Sequence, residues 1–134
     1  MWCQWQLYAE AMTRILHLAE LEHWQYAQAS GEYRQSTRGA TLKDVGFIHC
    51  SSAEQLPVVA SFIYADYTEE LVVLELDAAA IANADIEIRM EDGGTGELYP
   101  HLYGVLQSGW VKKTYSAEMR SGVLIAPMLY SEPR

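Results

Sequence analysis

Apolar residues run almost unbroken through Leu71-Val72-Val73-Leu74-Glu75-Leu76, and Glu69, Glu70 and Asp77 bound the run on either side. This is the pattern of a strand buried on both faces, so it predicts the central strand of a sheet. Residues 86–90 alternate apolar and polar and predict a half-exposed strand. Residues 14–19 read as a further strand, followed by a helix over 22–30 that Gly31 ends. Within that helix Trp24, Ala27 and Gln28 share a face, which makes Trp24 a core residue. Residues 31–45 read as loop, because Ser36, Thr37, Gly39 and Thr41 break any periodicity. A strand starts at Gly46. Ser51 or Ser52 then opens a helix, with Glu54 or Gln55 in the reciprocal third position, and Pro57 moves its start toward Glu54. A loop over 92–96 precedes strands at 102–106, 110–111 and 123–125. The sum is one α+β domain over 14–134, with few long helices and no internal repeat. Ahead of it, Trp2, Trp5, Tyr8 and Met12 recur at helical spacing; residues 1–13 are either an added helix or a start-site artefact, with translation beginning at Met12.

Two runs within this pattern carry candidate chemistry. Gly46-Phe47-Ile48-His49-Cys50-Ser51 and Tyr99-Pro100-His101-Leu102-Tyr103-Gly104 each set a histidine, the side chain that changes charge near neutral pH, among apolar and aromatic neighbours. Strand alternation puts Phe47 and His49 on one face and Ile48 and Cys50 on the other. His101 and Tyr103 likewise share a face. The apolar side is core and the histidine sides line one cleft, so His49 and His101 are expected to meet. Pro100 holds Tyr99 extended, and Gly104 permits close approach of another backbone.

Together with Ile15-Leu16-His17 and the Trp24 to Gly31-Glu32-Tyr33 segment, these runs resemble the bacterial family known as domain of unknown function 952, across residues 14–114. The resemblance implies a fold like that of the ADP-ribosyltransferases: two small, mostly antiparallel sheets with a few short helices around a central cleft. It implies a nucleotide-like ligand of the NAD or ADP-ribose class, NAD being the candidate cofactor, and, for an enzyme, glycosyl transfer of the ADP-ribosyltransferase type. Carried onto this chain, His49, His101 and Glu97 are the candidate catalytic residues, and His17, Phe47, Ser51 and Tyr103 the candidate ligand-binding ones. A carboxylate near the ribose would stabilise the positive charge that builds as nicotinamide leaves. Glu97 is the nearest candidate, although no Glu-x-Glu pair accompanies it. Two other readings stand beside this one. A protein-interaction module would use the Trp2, Trp5, Tyr8 stripe, and a metal site would use His17, His49 and His101. No His-x-His, HExxH or Cys pair supports the metal, and no ligand set is assigned. Ser51 reads as a helix cap that also offers its hydroxyl to the cleft; no Gly-x-Ser-x-Gly elbow surrounds it.

Charge narrows the partners. Eighteen acidic residues against nine basic give a net charge of −9, which opposes nucleic acid and anionic membrane. Residues 44–97 hold twelve carboxylates and one base, Arg89. The cations gather as Arg14, Arg34, Arg38 and Lys43 before the first histidine run and as Lys112, Lys113 and Arg120 after the second, where they read as solvated surface. Two cysteines, Cys3 and Cys50, suit reduced thiols in a cytoplasm better than a disulfide scaffold. No apolar run approaches the ~20 residues of a membrane span, and the N-terminus lacks signal-peptide features. A soluble, cytoplasmic domain is expected, and the sequence sets no oligomeric state.

Overall fold

The computed structural model describes residues 14–130, so the aromatic stripe at Trp2, Trp5 and Tyr8, and Cys3 with it, lies outside the described residues. In chain order the elements are β1 (Leu16–Glu20), α1 (Leu21–Ser30), β2 (Glu32–Tyr33), β3 (Gln35–Thr37), β4 (Ala40–Thr41), α2 (Leu42–Val45), β5 (Ile48–His49), α3 (Leu56–Ile63) and β6 (Leu71–Leu76). They continue with α4 (Ala78–Asn83), β7 (Ile88–Asp92), β8 (Leu98–Leu102), β9 (Leu106–Gln107), β10 (Val111–Arg120), β11 (Val123–Ile125) and α5 (Pro127–Tyr130).

The main sheet has the order β1-β6-β10-β11, antiparallel throughout. β6 sits inside it, and all six of its residues are buried. Leu71 and Val73 point into a core with Leu16, Leu18, Leu56 and Tyr115 beneath α3, while Val72, Leu74 and Leu76 point the other way, among Trp24, Tyr33, Ile48 and Leu102. Each such side chain contributes about 1.5–3 kcal/mol through burial, which is why the strand reads as unbroken apolar sequence. Its one charge is satisfied on the spot. Glu75, 8% exposed, accepts from Arg14 at 3.0 and 3.3 Å and from the Tyr115 hydroxyl at 2.8 Å. Burial pushes its carboxyl up, but the bonds from Arg14 and Tyr115 outweigh this and hold it below the usual range. Arg14, expected at the solvated surface, is therefore a half-buried partner of the core.

A three-stranded sheet, β5-β8-β7, joins this layer where Leu16 and Ser51 exchange backbone bonds at 2.8 Å. Ile48, Cys50 and Leu102 turn inward into the second core, and His49 lies directly opposite His101. Two-stranded pairs β2-β9 and β3-β4 complete the fold, so the small antiparallel sheets number four rather than two among the described residues.

Several local expectations are corrected. Residues 31–45 are short strands and a helical turn rather than loop. Thr41 and Asp44 form a capping box ahead of α2, with reciprocal bonds of 2.9 and 3.2 Å, and Gly46 ends α2 at φ +101° instead of opening a strand. Ser52, not Ser51, pairs reciprocally with Gln55 at 3.0 and 3.1 Å, and α3 begins only at Leu56, with Pro57 in its first turn. The strand expected over 102–106 is two, β8 and β9, separated by a bend at Gly104. A Cβ there would stand 2.9 Å from Cγ2 of Ile86, so a side chain rather than a backbone makes the close approach.

Candidate functional site

The outward face of β5-β8-β7 carries a row of rings. Phe47 stacks on His101 with centroids 3.9 Å apart and planes 13° apart, and His49 lies 5.3 Å from His101 and 5.5 Å from Tyr99. Tyr103 closes the row 5.4 Å from Phe47. The two histidine runs thus meet on one face, as strand alternation predicts. Behind the row stands a residue that sequence reasoning missed. Oε1 of Glu91 is 2.8 Å from Nδ1 of His101 and accepts from the Tyr103 hydroxyl at 2.6 Å. The bond from Tyr103, then that from His101, holds the Glu91 carboxyl below its ordinary range, and the same bond to Glu91 pushes the Tyr103 phenol up. A carboxylate at Nδ1 fixes a proton on that nitrogen, so His101 donates to Glu91 through Nδ1. The signal for Glu91 was the alternation Arg89-Met90-Glu91, which sets both charged residues on the ring-bearing face once β7 pairs with β8.

Beside this row opens a cavity of about 490 Å³ lined by Phe47, His49, Tyr99 and Glu97, by Val58, Phe62 and Ile63 of α3, and by Ser36 and Thr37 of β3. Phe62 and Val58, 89% and 67% exposed, stand at its rim. Burial, then the neighbouring His101 charge, lowers the pKa of His49. Among the described residues neither ring nitrogen of His49 has a hydrogen-bond partner. Glu97 is exposed and accepts from Nε2 of Gln55 at 2.8 Å. Gly93 and Thr95 supply the far wall; a Cβ on Gly93 would lie 2.6 Å from the Tyr99 ring, so only glycine lets the loop rest there. Asp92 shapes that loop by accepting from the amides of Gly94 and Gly96 at 2.6 and 2.9 Å.

Of the candidate residues, Phe47, His49 and Glu97 line the cavity, and His101 and Tyr103 share its sheet face. His17 and Ser51 turn inward instead. The Tyr33 hydroxyl donates to Nε2 of His17 at 2.8 Å, and Nδ1 donates to the His49 carbonyl at 2.6 Å. Burial pushes the ring down to about 4, so it is neutral, with both nitrogens occupied by the fold. Ser51 is buried and bonds through its backbone to Leu16. Cys50 is a free, buried thiol whose pKa burial raises to about 12. Among the described residues no group of three His, Cys, Asp or Glu is arranged to hold a metal ion, and no helix is long and apolar enough to cross a membrane.

A family model described as protein of unknown function (DUF952) matches residues 18–114. The fold is similar to two crystal structures of protein CC0527 from Caulobacter crescentus, one of them a double mutant. Each has a TM-score of 0.71 at 25% identity, covering 84% of this chain and 94% of that one. The solution NMR structure of CC0527 aligns with a TM-score of 0.69 at 24% identity over 89% of this chain and 97% of that one. Among curated proteins, nothing matches the chain.

Proposed function

The chain belongs to the DUF952 family of proteins of unknown function, and from that premise we propose that it binds a nucleotide-like small molecule, of the NAD or ADP-ribose class, in the cavity beside Phe47 and His49. The observation that carries this reading is the His49 ring, whose nitrogens have no partner among the described residues and which helps line a cavity of about 490 Å³. That volume lies within the range of small-molecule sites, about 300–1,000 Å³. The faces of Phe47 and Tyr99 suit a planar ring, and His49 suits its polar edge.

Glycosyl transfer of the ADP-ribosyltransferase type, on a fold of that kind, is the activity this reading extends to. Small antiparallel sheets flanking the cavity support it. In that reaction the bond from the anomeric carbon to nicotinamide nitrogen breaks with its electron pair on nitrogen, and an acceptor nucleophile bonds to the carbon. Glu97, fastened by Gln55 at the cavity wall, supports a role in stabilising the cationic sugar between those events. The net charge of −9 supports a small ligand over nucleic acid or an anionic membrane, and the buried reduced Cys50 supports a cytoplasmic setting.

A second reading rests on Phe62 and Val58, whose exposure at the rim suits a docking surface for another protein. Thermal shift with NAD, ADP-ribose and their nucleosides decides between the two. A bound ligand at one hundred times its Kd stabilises by about 2.7 kcal/mol, and His49→Gln should remove that gain. No shift in melting temperature or in the His49 ring resonances across the series would leave the docking reading in its place.

A further inference from the structure

Another cavity, of about 620 Å³, shares no lining residue with the one beside His49. One wall is α1, which buries Trp24 and Ala27 and turns His23 and Tyr26, one turn apart, toward the opening. The facing wall carries Arg34 and Lys43. These cations are distant in sequence and read there as solvated surface, but the β3-β4 hairpin folds them together: Gln35 pairs with Thr41, and the Leu42 amide donates to the Arg34 carbonyl at 2.8 Å.

In a chain of net charge −9, this cavity sets two permanent cations against one carboxylate, Glu32. Arg34 holds Glu32 through Nη2 and Nε at 2.7 and 3.2 Å, which leaves Nη1 without a partner among the described residues. The pair is exposed, and an exposed pair yields readily to a stronger acceptor. Lys43 forms no ion pair among the described residues. Nδ1 of His23 stands 3.9 Å from Glu20, beyond hydrogen-bond reach, so this ring is open as well. Unspent donors therefore dominate the lining, and they suit a ligand that only accepts. A phosphate monoester has three acceptor oxygens and close to two negative charges near neutral pH, enough for Arg34 and Lys43 to share, whereas a carboxylate brings a single charge. Beside these donors Tyr26 is 73% exposed, and its ring packs on no other aromatic ring among the described residues. It offers a bare face to a planar group.

We propose that this cavity is a second binding site, for a phosphate monoester borne by a planar ring, the mononucleotide class, with Arg34 and Lys43 on the phosphate and Tyr26 against the ring. The site is independent of the ligand assigned to the His49 cavity, which no lysine or arginine lines.

The test titrates the full chain with AMP, adenosine and inorganic phosphate by calorimetry and amide NMR, alongside melting curves. AMP should bind at least about tenfold tighter than either of its parts, and added salt should weaken it by screening the cations. Arg34→Gln and Lys43→Gln should each weaken AMP by about tenfold or more, and Tyr26→Ala should bring it toward inorganic phosphate. Melting temperatures should hold, since all three side chains are exposed. The amide shifts that AMP causes and Arg34→Gln abolishes should map to α1 and residues 32–43. Adenosine that binds as tightly as AMP, variants that bind AMP as the wild type does, or no binding of AMP would each overturn the inference. A shift map confined to Phe47, His49 and Tyr99 would overturn it too, while leaving the reading of the His49 cavity in place.

Discussion

The two larger sheets of this domain treat their polar groups in opposite ways. The β1-β6-β10-β11 sheet has core clusters on both faces, and each polar side chain caught inside it has its bonds made: His17 has two, and Glu75 is held by Arg14 and Tyr115. The β5-β8-β7 sheet is covered on one face only, and its open face keeps His49 without a partner among the described residues beside a row of stacked rings. Histidines on adjoining strands have thereby become different objects. One is a neutral structural bridge and the other an available acceptor and donor. What separates them is coverage: His17 is sealed among core side chains and the fold supplies both its bonds, whereas His49, on a half-covered face, is free to serve something outside the chain.

The largest expected effect lies in the closed sheet. Leu74→Ala removes a fully buried side chain between β1 and β10 and should cost about 2–5 kcal/mol by urea denaturation. Phe62→Ala at the cavity rim, 89% exposed, should shift the same midpoint by no more than about 0.5 kcal/mol. Equal losses would abolish the contrast.

Next in size is a pH effect from His17. Its pKa in the fold is about 4 against 6.5 for an ordinary histidine. Between those values the unfolded chain binds the proton and the folded one does not, so stability falls as pH drops from 6.5 toward 4 and levels off below. The full loss is about 3 kcal/mol. Urea midpoints across that window, with ring NMR of His17, measure it, and a His17 ring that titrates near 6.5 would mean the bridge is not sealed.

The smallest effect belongs to the open face. His49→Gln should change stability by less than about 0.5 kcal/mol, since no protein bond of the ring is lost. Glu91→Gln should return the Tyr103 phenol toward its ordinary ionisation, read by ultraviolet titration, because the charged acceptor that raises it is gone.

The sequence was most legible where one physical cause dominated. β6 was readable to the residue because double-sided burial leaves an uninterrupted apolar run, and the meeting of His49 with His101 followed from alternation alone. Alternation names two faces but not what lies beyond either, so His17 and Ser51 read as site residues although core covers them. The strands of residues 31–45 span two or three residues each, too few for a period to exist, and Ser36 was hidden with them. Glu91 acquires its role from the pairing of β7 with β8, a register that no local pattern encodes. Most of β10 was missed because its outer face is polar and only Tyr115 and Ala117 are buried within it.

β5 is only two residues long, yet it is fixed at both ends, by the left-handed turn at Gly46 and by the backbone pair between Ser51 and Leu16. Inserting or deleting a single residue between those anchors would exchange Phe47 and His49 for Ile48 and Cys50, spilling core into solvent and sealing imidazole into the interior. Lineages of this domain are therefore free to change the letters of the segment but not its count. The spacing from Gly46 to Ser51 should stay constant among relatives even where ring identities drift, while length variation collects in the 93–97 loop, whose fold depends on Asp92 and its glycines rather than on a strand partner.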